Sequence, residues 1–357
     1  MAELELFRRF PESRHLAHVE LATLPTPVEE LPRLASKVDI DGLWVKRDDQ
    51  SGEIYGGNKV RKLEFILGHA QAEGHREVWT VGAVGSHHVL ATCLYARKLG
   101  ITPRAMHFPQ PLTAHVQEVL AALSTTSPEL ELVGSKYALP GAMLKSRIKE
   151  WLSRSPNPYY IPGGGSSPRG VLGYVNAALE LARQIDNGEL PMPDAIFVAA
   201  GTCGTLAGLI LGAQLADLPT RIVGVRVVDK VLANPVVTAS LANRTAHLLR
   251  DAGVSVGRVL PTDVEIIDDQ IGEGYGVPTD AGEQAMDLVD KTAGLELEPT
   301  YTAKAFAGLL EAHQRERRPL KNILYWHTLS SVDLGPLVKA ADPARDLPPE
   351  YAPFLEQ

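Results

Sequence analysis

Short apolar, β-branched runs alternate along this chain with longer segments of helical periodicity, and this alternation constrains the fold more than any other property. The runs Leu43-Val45, Glu77-Val81, Arg104-Phe108, Glu131-Val133, Tyr159-Ile161, Ala195-Ala200, Arg221-Val228 and Asn322-Trp326 read as strands, with helix-like stretches between most of them. Strands that look continuously apolar are buried on both faces, as in parallel sheets covered by helices. The expected fold class is therefore α/β, in a two-domain, three-layer arrangement with mainly parallel sheets. Gly56-Gly57 and the cluster Gly163-Gly164-Gly165-Ser166-Ser167-Pro168 are the strongest breaks in the pattern. They predict a smaller α/β domain over 57-162, inserted into a larger one made of 1-56 and 163-357, with a site in the cleft between them.

Composition narrows the partners. At 357 residues and 45% hydrophobic content the chain has material for two cores, and a net charge of -8 gives no global basic field for nucleic acid or an anionic membrane. The two cysteines, Cys93 and Cys203, form no CxxC and no zinc-like spacing, so neither a disulfide framework nor a metal is expected. The first residues, MAELELFRRFPESRHLAHVE, have no apolar signal core, and no long uncharged apolar stretch follows. The expectation is a cytoplasmic protein acting on a small molecule, with no nucleic-acid or membrane partner.

Lys59 carries the chemistry. In a helix from Asn58 to Gln71, Leu63, Ile66, Leu67 and Ala70 share its face, while Arg61 and Glu64 fall on the other side. An amine held against a core loses hydration and becomes nucleophilic; the alternative is a lysine that snorkels to water. A second segment, Ala195-Ala200 followed by Gly201-Thr202-Cys203-Gly204-Thr205 and an apolar helix, offers backbone N–H groups at a helix N-terminus, either as a phosphate site or as an ordinary tight turn. It has neither the Walker ending nor GxGxxG spacing. A third, Gly85-Ser86-His87-His88, puts Ser86 at a helix start as a cap, a carboxylate binder or a nucleophile; the two histidines diverge by about 100 degrees and serve no common metal. A fourth, Glu298-Pro299-Thr300-Tyr301-Thr302, opens a helix with an aromatic and a hydroxyl that either meet a flat ring or pack and cap; Tyr275, in a glycine-rich loop, and Thr328, past a strand end, are weaker candidates of the same kind. An amine, a phosphate cradle and ring-binding groups together suit pyridoxal 5′-phosphate (PLP).

The motifs GGNKVRKLE, the strand-loop SHH segment, IPGGGSSPRGVLGYVNAALEL, AAGTCGTLAGLILG, GYGVP, EPTYTAKAFAGLL and YWHTLSS occur in the order found in the D-cysteine desulfhydrase and 1-aminocyclopropane-1-carboxylate (ACC) deaminase family, which this chain resembles from about Leu24 to Leu334. That resemblance implies a tryptophan-synthase-β-like subunit (PLP fold type II), commonly a homodimer. It makes Lys59 the lysine that carries PLP, with Asn58 beside it, Gly201, Thr202, Cys203, Gly204 and Thr205 on the phosphate loop, and Ser86, Tyr301 and Tyr275 catalytic. It places Ser86, His87 and His88 by the substrate, His87 by the cofactor's O3′, and Thr328 by the pyridine nitrogen. The deaminase pattern has Glu where this chain has Thr302, so the residue favours β-elimination from a small β-substituted amino acid such as D-cysteine or cysteate, over ring opening. The alternatives are an ACC deaminase, a catalytically silent PLP-binding protein, and a metal-dependent hydrolase using His87 and His88, which gains little from the sequence. Three departures from the family, His87 for Asn, Cys203 for Gly, and Leu329-Ser330-Ser331 where Gly-Gly commonly follows His-Thr, are expected to line the pocket.

Overall fold

The alternating pattern resolves into two sheets, seen in a computed structural model that describes residues 3–153 and 157–355. The first unit comprises the chain up to Phe65 together with Ser166–Ser331. Its strands are β1 (Val28–Glu30), β2 (Gly42–Arg47), β7 (Ala195–Ala200), β8 (Arg221–Arg226), β9 (Glu265–Ile267) and β10 (Asn322–His327), in the order β1-β2-β10-β7-β8-β9. Only β1 runs antiparallel to its neighbour. The central strands are buried over most of their length, as their unbroken apolar sequences require. The two strands that the sequence pattern misses, β1 and β9, are three-residue edge strands containing glutamate, which present no apolar run.

Because β2, β10 and β7 are parallel neighbours, their C-terminal ends share one edge of the sheet, where α/β proteins place their ligands. From that edge β7 feeds Gly201-Thr202-Cys203 and the helix Gly204–Leu215, β10 feeds Thr328–Ser331, and β2 leads through Asp48–Gln50 to Gly56-Gly57 and the helix Asn58–Ala72. Two glycines are fixed by this convergence. A Cβ on Gly57, whose φ is 77°, would lie 2.6 Å from the Thr328 carbonyl oxygen, and one on Gly56 would lie 2.1 Å from that of Asp49.

The helix Asn58–Ala72 corrects one expectation. Leu63, Ile66, Leu67 and Ala70 are buried as its spacing predicts, yet Arg61 and Glu64, assigned to the opposite side, are buried too. Arg61 is held by Asp48 and Glu180, and the Glu64 carboxylate accepts from the backbone N–H groups of Leu21 (3.0 Å) and Ala22 (2.9 Å). A periodicity argument reads charge as exposure and misses a charge whose partners come from distant segments.

The second unit comprises Ile66–Gly165 and the segment from Val332 onward. Its strands, β3 (Glu77–Ala83), β4 (Thr102–Phe108), β5 (Glu129–Leu132) and β6 (Tyr159–Ile161), form a parallel sheet ordered β5-β4-β3-β6. The chain thus divides near 65 and 165 where the punctuation marks 57 and 162, and the C-terminal segment groups with the smaller unit. Side chains explain the last point: Tyr351 is buried, and its hydroxyl pairs with His107 Nδ1 on β4 at 2.9 Å. Burial pushes the His107 imidazole down to about 4, so it is neutral in that core at ordinary pH.

Candidate active site

In the first unit the residues that the sequence singles out converge. Lys59 Nζ donates to Asn58 Oδ1 at 2.7 Å, and Asn58 Nδ2 donates to Thr205 Oγ1 at 3.1 Å, joining the amine to the loop after β7. The backbone N–H of Asn58 donates to the Thr328 carbonyl at 3.2 Å, which brings in the end of β10. Burial lowers the Lys59 amine to about 8, and the Glu298 carboxylate partly offsets this. The amine is therefore held partly buried and lowered, unlike that of a snorkelling surface lysine.

The loop Gly201–Cys203 caps the helix Gly204–Leu215 without a side-chain cap, leaving its N-terminus to other groups. Ser166 Oγ accepts from Gly204 N at 3.2 Å and pairs with Thr202 Oγ1 at 2.7 Å. A Cβ on Gly204 would fall 2.5 Å from Ser166 Oγ and 3.1 Å from Lys62 Nζ, so glycine here leaves room beside a cation. Burial and then the Lys59 charge hold Lys62 well below its ordinary value, and an anion at the loop would favour its charged form. Helix N-terminus, hydroxyls and buried ammonium together fit a phosphate group. Neither Lys62 nor Ser166 stands out by periodicity. The signal available is a second lysine three residues after the first, on the same helix face.

The ring-binding groups lie beside this loop. A Cβ on Gly201 would come within 3.2 Å of the Tyr301 ring, so glycine lets that ring lie against the loop backbone. Tyr301 and Tyr275 share a hydroxyl contact of 2.9 Å with rings edge to face, and burial raises both phenols, keeping them protonated donors. Glu298, to which the sequence reading gives no role, organises the start of the helix Thr302–Arg315: its carboxylate accepts from the N–H groups of Thr300 (2.8 Å), Tyr301 (2.6 Å) and Thr302 (2.8 Å). Thr302 is buried, and its hydroxyl accepts from Glu298 N at 2.7 Å.

Two of the three departures have defined partners. Ser330 Oγ accepts from Gly56 N at 2.8 Å and Ser331 Oγ donates to the Asp49 carbonyl at 3.1 Å, so both hydroxyls clamp the turn leading into Lys59. Cys203 packs into an apolar cluster with Val227, Val228 and Ala233, and burial raises its thiol above the ordinary range. It sits at φ 62°, the left-handed region that explains why glycine suits this position.

Ser86, His87 and His88 belong to the second unit. Ser86 caps the helix His87–Lys98, accepting from Val89 N at 3.4 Å. His88 is buried, and its Nε2 meets Thr80 Oγ1 at 2.9 Å, a hydroxyl that donates onward to Ile161 O. That nitrogen is committed to the unit's core. His87 Nε2 instead meets His115 Nε2 at 2.7 Å, a partner no local motif signals.

The comparison with protein families decides the identity: residues 19–328 match the family described as pyridoxal-phosphate-dependent enzymes. The chain belongs to that family. Among curated relatives, D-cysteine desulfhydrase of Salmonella choleraesuis (strain SC-B67) is 34% identical over 314 residues, covering 87% of this chain and 90% of that protein. The enzyme of the same name from Salmonella enteritidis PT4 matches equally. Among solved structures, an ACC deaminase homologue superposes with a TM-score of 0.78 at 32% identity, covering 92% of this chain and 95% of that one. A threonine deaminase isoform from Solanum lycopersicum, at 17% identity and TM-score 0.61, shares the fold. The expected membership, fold type II and enzymatic nature hold, and PLP is the cofactor. No helix among the described residues is long and apolar enough to cross a membrane.

A lysine lowered to about 8 leads to a pH-dependent prediction for cofactor capture at Lys59. Only the neutral amine attacks an aldehyde, so the rate of PLP uptake by the apo-protein is expected to rise with pH and reach half its maximum near pH 8, followed by visible absorbance. A midpoint above pH 10 would mean that the amine is solvated.

Proposed function

We propose that this protein is a PLP-dependent lyase that eliminates the β-substituent of a small amino acid, with D-cysteine as the first candidate substrate and cysteate as another. The observation that carries the reading is Thr302. Its side chain is neutral and engaged by the Glu298 backbone, so position 302 itself carries no carboxylate where the deaminase pattern has one. The relatives named D-cysteine desulfhydrase support the same choice. When bound, PLP supplies the electron sink that acidifies the substrate's Cα.

This chain's own residues do the rest. Lys59 would take the Cα proton, and its lowered value keeps a useful fraction neutral near physiological pH. Asn58 orients that amine through its carbonyl oxygen. Lys62, Ser166, Thr202 and Gly204 hold the phosphate, and the protonated Tyr275–Tyr301 pair is poised to donate to the departing sulfur. By the family resemblance Ser86 is assigned to the substrate carboxylate and His87 to the cofactor's O3′. The thiol leaves as hydrogen sulfide, and released 2-aminoacrylate takes up water to give pyruvate and ammonia. Incubation with D-cysteine is expected to give sulfide and pyruvate in equal amounts, and with ACC no 2-oxobutanoate. Release of 2-oxobutanoate would overturn the reading in favour of ring opening.

A homodimer belongs to the same reading. Val231 (82% exposed), Leu232, Val236 and Val237 present apolar side chains where the helix Pro235–Asp251 begins. Clustered exposed aliphatics of this kind mark interaction surfaces. Val236→Glu is expected to convert a dimer to monomer in sedimentation; a wild-type monomer would refute the assignment.

A further inference from the structure

We infer that Lys304 is a positioning residue that holds the loop carrying Tyr275 so that its hydroxyl meets Tyr301. The inference rests on the proposed function, in which that tyrosine pair serves the reaction. Lys304 lies in the first turn of the helix Thr302–Arg315 and is buried. Its Nζ leaves the helix to donate to the carbonyl of Ile271 at 2.8 Å and that of Gly274 at 3.3 Å.

That loop is costly to order, with Val277 N donating to the Gly274 carbonyl at 3.4 Å within it. Gly272, Gly274 and Gly276 all have positive φ, at 62°, 144° and 78°, and glycines lose more backbone freedom on ordering than any other residue. Tyr275 stands among them, with its hydroxyl 2.9 Å from that of Tyr301. Tyr301 is fixed independently, since Glu298 accepts from its backbone N–H. The pair is thus braced by a carboxylate on one partner and by an ammonium on the other's loop. An aliphatic side chain at 304 would satisfy the helix packing and avoid the cost of burying a charge, which lowers the Lys304 amine despite Glu298 nearby. What an aliphatic chain cannot do is bind two carbonyl oxygens.

The experiment compares Lys304→Met, Tyr275→Phe and the double variant, all loaded with PLP. Lys304→Met is expected to retain the visible band of the bound cofactor and the KM for D-cysteine, while kcat for sulfide release falls about 10- to 100-fold. Hydrogen exchange of peptides spanning Ile271–Gly276 should accelerate about 10-fold or more. In the Tyr275→Phe background the same lysine change should lower kcat less than about 2-fold further, because its effect passes through that hydroxyl. Ammonium or methylammonium should restore part of kcat to Lys304→Ala, which a packing defect would not allow. If Lys304→Met does not fold, Lys304→Gln, which keeps an N–H donor without the charge, is expected to show the same changes at smaller size. Unchanged exchange in the loop, or fully additive losses in the double variant, would overturn the inference. Absence of sulfide from the wild type would instead sink the proposed function, and the exchange measurement would still decide Lys304.

Discussion

Lys59→Ala is expected to lower turnover of any β-substituted amino acid by about 10³-fold or more, and to abolish the covalent attachment of PLP while leaving non-covalent binding measurable. Two losses coincide at one atom. The amine proposed to anchor the cofactor is also the one expected to take the Cα proton, and no second lysine is expected to replace it. Lys62 is nearby on the same helix, but burial and the Lys59 charge hold it well below its ordinary value, and its place beside Gly204 suits an anion and not a substrate carbon. The groups proposed to bind the phosphate, Ser166, Thr202 and Gly204, are untouched by the change, which is why binding should survive. The check is a visible spectrum with and without borohydride, together with pyruvate release. Retained turnover, or a borohydride-stable adduct at another residue, would move the chemistry away from Lys59. A spectrum without cofactor absorbance in the wild type after PLP is supplied would remove the site altogether.

How far the sequence foretells this site depends on the range of the signal. Strands buried on both faces announce themselves, and so do the glycine breaks that precede Lys59 and follow β7. Groups that matter through distant partners do not. Glu298 lies in a run read for its aromatic, yet its carboxylate organises three backbone N–H groups and influences Lys59. His115 is an ordinary helix residue until its Nε2 is found 2.7 Å from that of His87. Ser330 and Ser331 read as a change in the pocket because their neighbours in sequence belong to the site, but their hydroxyls face backbone groups of Gly56 and Asp49. Charge was the most misleading cue. Arg61 looks exposed by every local rule, and it is one of the largest fully buried side chains.

That burial leads to the second large effect. Arg61→Leu is expected to destabilise the protein by about 3 to 5 kcal/mol, the usual result of breaking a buried ion pair by removing one partner. The guanidinium reaches Asp48 at 2.7 Å and both Glu180 oxygens at 2.9 Å, and Lys46 meets the same Glu180 at 2.6 Å, so two cations balance two carboxylates out of water. Arg61 and Lys46 together hold Glu180 down to about 2 against the opposing effect of its burial. Tyr174 and Trp326 complete the shell by donating to Asp48 at 2.6 and 2.7 Å. The network joins β2, β10 and the helix Pro168–Asp186 to the helix that begins with Asn58-Lys59, and it does so two residues from the reactive amine. Close backbone packing makes the joint tight: a Cβ on Gly173 would lie 2.1 Å from the Arg61 carbonyl oxygen. Removing the guanidinium leaves Asp48 and Glu180 with the Thr26 hydroxyl between them and Lys46 as the remaining cation, and the helix start is then free to shift. The denaturation midpoint should therefore fall together with PLP affinity, whereas a loss of stability with unchanged affinity would mean that the network supports the fold without aligning Lys59. Arg61→Lys is the sharper variant, because it keeps the charge and forfeits the fork that spans two carboxylates at once. It is expected to recover less than half of the lost stability, and full recovery would show that net charge, not geometry, is what this core requires.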